Sequence, residues 1–397
     1  MPVKNGASRV SAGTRPFHGH WVKSIAPGSD RARGLLKCGL WRAVFQWEGR
    51  SGEARVQNLS SERSHDAVVV VPGIMGSRLR DAATGRLVWG LDDPRWYASA
   101  LFRAEGLRPL HVTDEERAGR AGRVVPDGLL RLPAFLSVLG GLEPYGRLAD
   151  RLRQAVVDPA AVLEFAYDWR LSVRHNARLL AVAACEHLVR WRAHPEHERA
   201  RVTKPDGRGG RLVLVAHSMG GLVARALWLV AGEEVVAGGR PREVPDVTGE
   251  IRALVTLGTP FRGSPLAAVM LAGRRRMPLP GGPVRRLAAT LPGLHDLLPS
   301  YRCVDTGDDV RWLTPADVAA LGGDTSLAED AARLHADLGA SDVRDAVTRS
   351  LVGIAQPTVQ SLGLGQELGQ YRHTFSVNND GSLVRHADGE LMRIPGG

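Results

Sequence analysis

Ala216-His217-Ser218-Met219-Gly220 sets a serine between two small residues, one two positions before it and one two positions after. That spacing suits a nucleophile carried on a sharp turn between a strand and a helix. The serine backbone is strained on such a turn, and strand and helix approach closely only where the flanking side chains are small. Ala216 stands where glycine is usual, and alanine is the smallest substitute. A continuous apolar run at 212–216 precedes the serine, and a segment of helical periodicity opening Gly221-Leu222-Val223 follows it. The chemistry this arrangement serves is acyl transfer: Ser218 attacks a carbonyl, and the Met219 amide takes up part of the developing oxyanion charge. His217 is the immediate neighbour of the serine, but adjacent side chains face apart, so it is not read as the base.

An oxyanion needs a second main-chain donor, which comes from the loop after an earlier strand. Val71-Pro72-Gly73-Ile74-Met75-Gly76-Ser77 is such a loop, rich in glycine so that backbone can come close to substrate, and Ile74 is the expected donor. Gly258-Thr259-Pro260 closes a later strand and reads as a turn near the site that fixes strand order. Tyr167-Asp168-Trp169-Arg170 sits at the end of another, where Asp168 and Arg170 are expected to form a structural ion pair rather than touch substrate.

The elements that must carry these residues are four strand-like, mainly apolar runs at 67–71, 162–167, 212–216 and 251–257, interleaved with helix-period segments at 145–153, 173–191, 219–230 and 265–271. Strands buried on both faces and separated by helices predict a mostly parallel sheet with helices on both sides, the α/β-hydrolase fold. Residues 1–64 are expected to be a basic, largely disordered tail, and 65–397 the α/β-hydrolase domain, incomplete at its C-terminus. Two long segments, about 86–141 and 262–350, read as cap insertions over the site. The first contains Asp93-Pro94 followed by Trp96, Tyr97, Leu101 and Phe102, a short capped helix with its aromatics on one side.

The net charge of +10 first suggests nucleic acid or membrane, but residues 1–64 hold eleven Lys or Arg against four Asp or Glu, a net of +7. The rest is nearly balanced, and no groove-reading or base-stacking motif accompanies the charge, so no nucleic-acid partner is expected. Cys38, Cys185 and Cys303 are odd in number, far apart and without metal-ligand spacing, which argues against a disulfide framework and a zinc site. No cofactor and no metal are expected. With no secretory apolar segment and no run of about 20 apolar residues, a cytoplasmic location is expected.

Taken together, Pro72-Gly73-Ile74-Met75-Gly76-Ser77, Tyr167-Asp168-Trp169-Arg170, Ala216-His217-Ser218-Met219-Gly220 and Gly258-Thr259-Pro260 resemble the lecithin:cholesterol acyltransferase family, over roughly residues 66–395. That family also includes phospholipases and diacylglycerol-forming acyltransferases. The resemblance implies a serine enzyme that removes a fatty acyl chain from a glycerolipid and passes it to water or an alcohol. A lipid or acyl-ester substrate, and transient contact with a membrane surface through the cap, follow from it. The competing expectation is a lipid-binding protein of the same fold that has lost catalysis.

The acid and base should follow Ser218 in the chain. His295 and His335 fall in the second cap segment and read as packed or solvated, while His373 precedes every late acid candidate. Asn379-Asp380-Gly381-Ser382-Leu383-Val384 loosely resembles the acid loop of the family, which reads Gly-Asp-Gly-Thr-Val-Pro, but lacks its proline. His386 comes only six residues after Asp380, too close for two loops separated by a further element. The preferred reading makes 371–394 a β-hairpin turning at 379–381, with 391–394 entering the acid loop and the chain ending before its Asp. Asp380 with His386, and cap residues such as Asp305 or Asp308, are the alternatives.

Overall fold

The chain runs from a glycine-poor apolar strand into the site and returns to the same edge of one sheet four more times. In the computed structural model, residues 63–90, 96, 106–131, 145–203, 207–237, 239–273, 281–341, 347–353, 359–364, 370–372, 374–375, 384–386 and 390–394 are described. The central sheet has five strands in the spatial order Thr348–Leu351, Ile251–Leu257, Leu212–His217, Ala67–Val71 and Val162–Glu164. Every neighbouring pair is parallel, with Val71 opposite Ala216 and His217 opposite Leu257. Ala67–Val71 is fully buried along its length, as a central strand covered on both faces requires. This is the α/β-hydrolase arrangement, and its carboxyl edge carries the site.

Three of the four expected strands match within a residue, and the fourth is cut short. Only Val162–Glu164 pairs as a strand, because 165–167 peel away from the sheet toward the loop at 72–77, although Phe165 still donates to Val70 O at 2.9 Å. Helices Tyr145–Ala155, Val173–Arg192 and Pro265–Leu271 stand where periodicity predicts them. The expected helix at 219–230 is two segments, Met219–Arg225 and Leu227–Val230, meeting at Ala226. Thr348–Leu351 was not predicted: Thr-Arg-Ser-Leu is half-buried throughout and shows neither a continuous apolar run nor alternation.

The first excursion starts earlier than residue 86. Ser77–Asp81, Leu87–Trp89 and Val124–Leu129 form an antiparallel sheet that begins directly after the glycine-rich loop. Leu79 is buried while Arg78 and Arg80 are partly exposed, the period-2 pattern that this short strand displays. Of the predicted aromatic helix, Trp96 is described: it is buried, edge-on to Trp89 at 5.0 Å, and donates its indole N–H to Val88 O at 2.7 Å. Tyr97, Leu101 and Phe102 lie outside the described residues, as do residues 1–62, on which the tail was predicted.

The second excursion leaves the Ile251–Leu257 strand through helix Pro265–Leu271 and includes helices Gly281–Ala288, Pro292–His295, Pro315–Ala320 and Thr325–Ala340. Its strands Val310–Trp312 and Arg302–Asp305 join Ser361–Gly363 and Gln370–Arg372 in a second, mixed sheet. Leu291, Leu294, Leu297 and Leu298 are all buried, so this leucine-rich stretch is packing. Among the described residues no helix is long and apolar enough to cross a membrane.

Candidate active site

Ser218 follows the last residue of its strand and caps helix Met219–Arg225 with φ 50° and ψ −124°, a region that L residues rarely enter. Its amide donates to Leu257 O at 2.9 Å and its carbonyl accepts from Gly221 N at 3.0 Å, so neighbouring structure holds the turn from both sides. A Cβ on Gly220 would stand 2.4 Å from Pro72 O and 2.6 Å from Val71 O, which explains the small residue two positions after the serine. A Cβ on Gly221 would lie 2.0 Å from Thr259 Oγ1, so the Gly258-Thr259-Pro260 turn packs directly on the elbow helix.

The serine conformation is the mirror image of an extended one, open to glycine without strain. Ser218→Gly is therefore expected to unfold about 1–2 kcal/mol less readily than Ser218→Ala, which keeps the strain. Urea unfolding of the two variants measures this, and equal midpoints would show that the turn stores no strain.

The loop at 72–77 faces the elbow. A Cβ on Gly73 would meet Ser218 Cβ at 2.9 Å, so the approach depends on glycine. Gly76 N donates to Gly73 O at 3.0 Å, and Met75 has φ 64°; with Ser218 it forms the pair of non-glycine residues at positive φ among those described. Ile74 is half-buried at the turn, and Met219 is buried at the first position of the helix.

Several hydrogen bonds fix this loop. The Tyr167 hydroxyl donates to Pro72 O at 2.8 Å, the Ser77 hydroxyl accepts from Tyr167 N at 3.0 Å, and the Trp169 indole donates to Ser77 O at 3.2 Å. The Trp89 indole donates to Met75 O at 3.0 Å, and Leu130 N to Gly76 O at 2.8 Å. From beneath, Gly73 N donates to the Tyr145 hydroxyl at 2.8 Å, and that hydroxyl lies 2.8 Å from His217 Nδ1. His217 is thus turned toward Tyr145. Sequence reasoning gave Tyr145 no role beyond starting a helix, since a lone tyrosine at a helix start carries no motif.

Tyr167 and Trp169 hold the loop, and Asp168 and Arg170 hold that segment in turn. Arg170 is fully buried and donates to Asp168 through Nε and Nη2, at 2.9 and 2.7 Å, and through Nη2 to Glu116 at 2.8 Å. Burial alone would lower the guanidinium pKa, but the two carboxylates outweigh it and hold it above its ordinary value. Burial, the largest single influence, pushes the Glu116 carboxyl up, but Arg170, the Thr113 amide and Arg123 together outweigh it and hold the carboxyl below the usual range. Glu116 also accepts from Arg123 at 2.9 Å and closes the capping box of Thr113. The expected Asp168–Arg170 ion pair is present, enlarged by a carboxylate from the first excursion.

The histidines of the second excursion are committed elsewhere. His295 is buried, donates from Nδ1 to Leu291 O at 2.8 Å, and accepts at Nε2 from Asp324 N at 3.1 Å. His335 Nε2 donates to Asp296 O at 3.0 Å. Asp305 accepts from Gly307 N at 2.9 Å, and Asp308 is exposed in the turn that follows. His386 is exposed and its main chain is tied to Glu390 O at 2.8 Å. Thr374 pairs antiparallel with Ile394 and Arg385 with Leu391, whereas Tyr371 and Arg372, expected in the same hairpin, pair with Leu362 and Ser361. Asp380, His373 and the predicted turn at 379–381 lie outside the described residues. Among the described residues no imidazole is within hydrogen-bond distance of Ser218 Oγ. None of their His, Cys, Asp and Glu groups is arranged to hold a metal ion.

A strained serine facing a pinned glycine loop is the geometry against which known proteins can be compared. The uncharacterized protein YJR098C of Saccharomyces cerevisiae is 29% identical over 205 residues, which cover 50% of this chain and 26% of that protein. This chain therefore spans about a quarter of the length of that relative. The crystal structure of the Tle4–Tli4 complex is similar at 17% identity, covering 71% of this chain and 73% of that one with a TM-score of 0.36, a likeness too loose to bear on the site. The description of lecithin:cholesterol acyltransferase matches residues 127–332, from the returning strand of the first excursion through the elbow and into helix Thr325–Ala340. That match takes in more than half of the 397 residues, with the Tyr167–Arg170 element and the Ser218 elbow inside it and the loop at 72–77 before it, and the chain belongs to the lecithin:cholesterol acyltransferase family.

Proposed function

We propose that this protein transfers acyl groups from lipid esters through an acyl-enzyme on Ser218. The observation that carries the reading is the strained Ser218 facing the loop at 72–77. Ser218 Oγ adds to the ester carbonyl as its proton passes to a general base, and the Met219 and Ile74 amides receive the oxyanion. Collapse expels the alcohol, which takes up the proton, and leaves an acyl-serine. Water or an acceptor alcohol then releases the acyl group, giving a phospholipase or lipase in one case and an O-acyltransferase in the other.

Two further features support a lipid substrate. Met75, Trp89, Trp169, Met270, Leu287 and Leu291 line a small apolar cavity beside the oxyanion loop, so the surroundings of Ser218 on this side are apolar, which favours an apolar substrate. Val284 and Leu287 of helix Gly281–Ala288 border this cavity, while Arg285 and Arg286 of the same helix are exposed. Burial first, then Arg286, Arg108 and Arg123, depress the His111 pKa, so this face of the cap is cationic and suits transient contact with an anionic lipid surface.

A serine-reactive fluorophosphonate tests the nucleophile. The wild type is expected to be labelled at Ser218 and Ser218→Ala to stay unlabelled; equal labelling of both would sink the assignment. Rates on phospholipid, monoacylglycerol and short acyl esters then assign the substrate. The second reading, a lipid-binding protein without turnover, draws on the lack of a described imidazole at Ser218 Oγ, and it predicts an unlabelled wild type that still binds phospholipid vesicles.

A further inference from the structure

We propose that Tyr145 is a positioning residue for the reaction, its hydroxyl tying the oxyanion loop to the residue before the nucleophile so that donor and nucleophile are held in register. This rests on the acyl-enzyme reading of Ser218. Tyr145 is buried at the start of helix Tyr145–Ala155, an element outside both the loop and the elbow. One oxygen serves both sides: it accepts from Gly73 N at 2.8 Å and lies 2.8 Å from His217 Nδ1. The hydroxyl donates to Nδ1 when the His217 proton sits on Nε2 and accepts from Nδ1–H in the other tautomer, and in both cases one oxygen joins the two residues. The two residues it joins lie where loop and nucleophile come together, since a Cβ on Gly73 would meet Ser218 Cβ at 2.9 Å and His217 Nδ1 at 3.1 Å. Ile74, the proposed second donor, is the next residue. The ring itself supports the turn, because a Cβ on Gly76 would come 2.8 Å from Tyr145 Cε2.

Tyr167 supplies the contrast. Its hydroxyl also bonds the loop at 2.8 Å, through Pro72 O, but that bond makes no link to His217. Loss of either hydroxyl removes one loop hydrogen bond; loss of the Tyr145 hydroxyl also removes the link from the loop to His217.

The test compares Tyr145→Phe, Tyr167→Phe, His217→Ala and Tyr145→Phe with His217→Ala combined, using acyl-ester kinetics and amide hydrogen exchange of residues 73–77. Tyr145→Phe is expected to lower kcat about tenfold with KM within about twofold, the size of one lost hydrogen bond acting in the transition state. The double variant should be no slower than the slower single one, because both cut the same tie. Tyr167→Phe also loosens the loop, but its kcat loss should multiply with that of His217→Ala when the two are combined, because its bond to Pro72 O makes no link to His217. Amide exchange at 73–77 should quicken in Tyr145→Phe and in His217→Ala, in the wild-type and the Ser218→Ala background alike. Additive kcat losses, or unchanged exchange in both single variants, overturn the tie. An unlabelled wild type whose loop exchange still quickens in Tyr145→Phe overturns the acyl-enzyme reading and supports the tie. Should Tyr145→Phe unfold, His217→Ala breaks the same link from its other end and decides by the same exchange measurement.

Discussion

Arg170→Met will lower the free energy of unfolding by about 3–5 kcal/mol, the usual cost of removing one partner from a buried ion pair. Arg170 is fully buried, and its bonds to Asp168 and Glu116 are 2.7–2.9 Å long. Without it Glu116 keeps Arg123 and the Thr113 amide, whereas Asp168 keeps as its recorded donor the main-chain amide of residue 170 at 3.1 Å. The penalty therefore falls mainly on Asp168. Adding Asp168→Asn and Glu116→Gln should return most of the lost stability, since neutral amides are cheaper to bury than unpaired carboxylates. Urea unfolding at neutral pH measures the series, and a loss below about 1 kcal/mol in Arg170→Met would show that the cluster is not a structural keystone. Labelling of Ser218 should weaken in Arg170→Met, because Tyr167 and Trp169 flank the cluster and both grip the oxyanion loop.

The second large effect is on pH dependence. Asp296 is fully buried at the start of helix Val173–Arg192, where it accepts from Val173 N at 2.7 Å, and burial pushes its carboxyl up to about 7. A carboxyl whose pKa is higher folded than unfolded contributes stability that is fully present below the unfolded value, near 4, and is lost as pH rises through the folded value. At roughly 1.4 kcal/mol per pK unit, the loss between pH 4 and 7 comes to about 4 kcal/mol. Burial lowers His111, His175, His187, His197, His295 and His335, whose contributions run the other way, being present above the unfolded histidine value and lost below it. The quantity to measure is thus the difference between wild type and Asp296→Asn. Stability of the wild type relative to Asp296→Asn should decline by about 4 kcal/mol from pH 4 to 7 and flatten above; a flat difference would mean that Asp296 is ionised in the fold.

Elements with a strong local signal were legible. The runs at 67–71 and 212–216 are buried on both faces and carry no polar interruption, so composition alone marks them, and 251–257 keeps enough apolar residues around Arg252 and Thr256 to be read the same way. The elbow could be read because its steric demand acts on residues adjacent in sequence. Thr348–Leu351 could not, because a half-buried strand of polar residues takes its place from Ile251–Leu257 rather than from its own pattern. The same holds for Tyr145 and Glu116, whose roles depend on partners 72 and 54 positions away. Asp296 is a further case, since one carboxyl in a leucine-rich stretch does not reveal that it will meet a helix start 123 positions back. The Tyr167–Arg170 element was singled out correctly as structural, but its grip on the oxyanion loop needed the fold to be seen.

Both excursions leave from the carboxyl ends of central strands, one directly after Ala67–Val71 and the other after Ile251–Leu257. The walls of the small apolar cavity come largely from these excursions, through Trp89, Leu107, Met270 and Leu287, whereas Ser218 and its strained turn belong to the sheet. Heredity can therefore act on the two separately. If Ser218 acts as proposed, an insertion or exchange within either excursion would change the surroundings of the serine while the register of the five strands stays as it was, so a lineage built on this plan could change diet without having to reinvent its tooth.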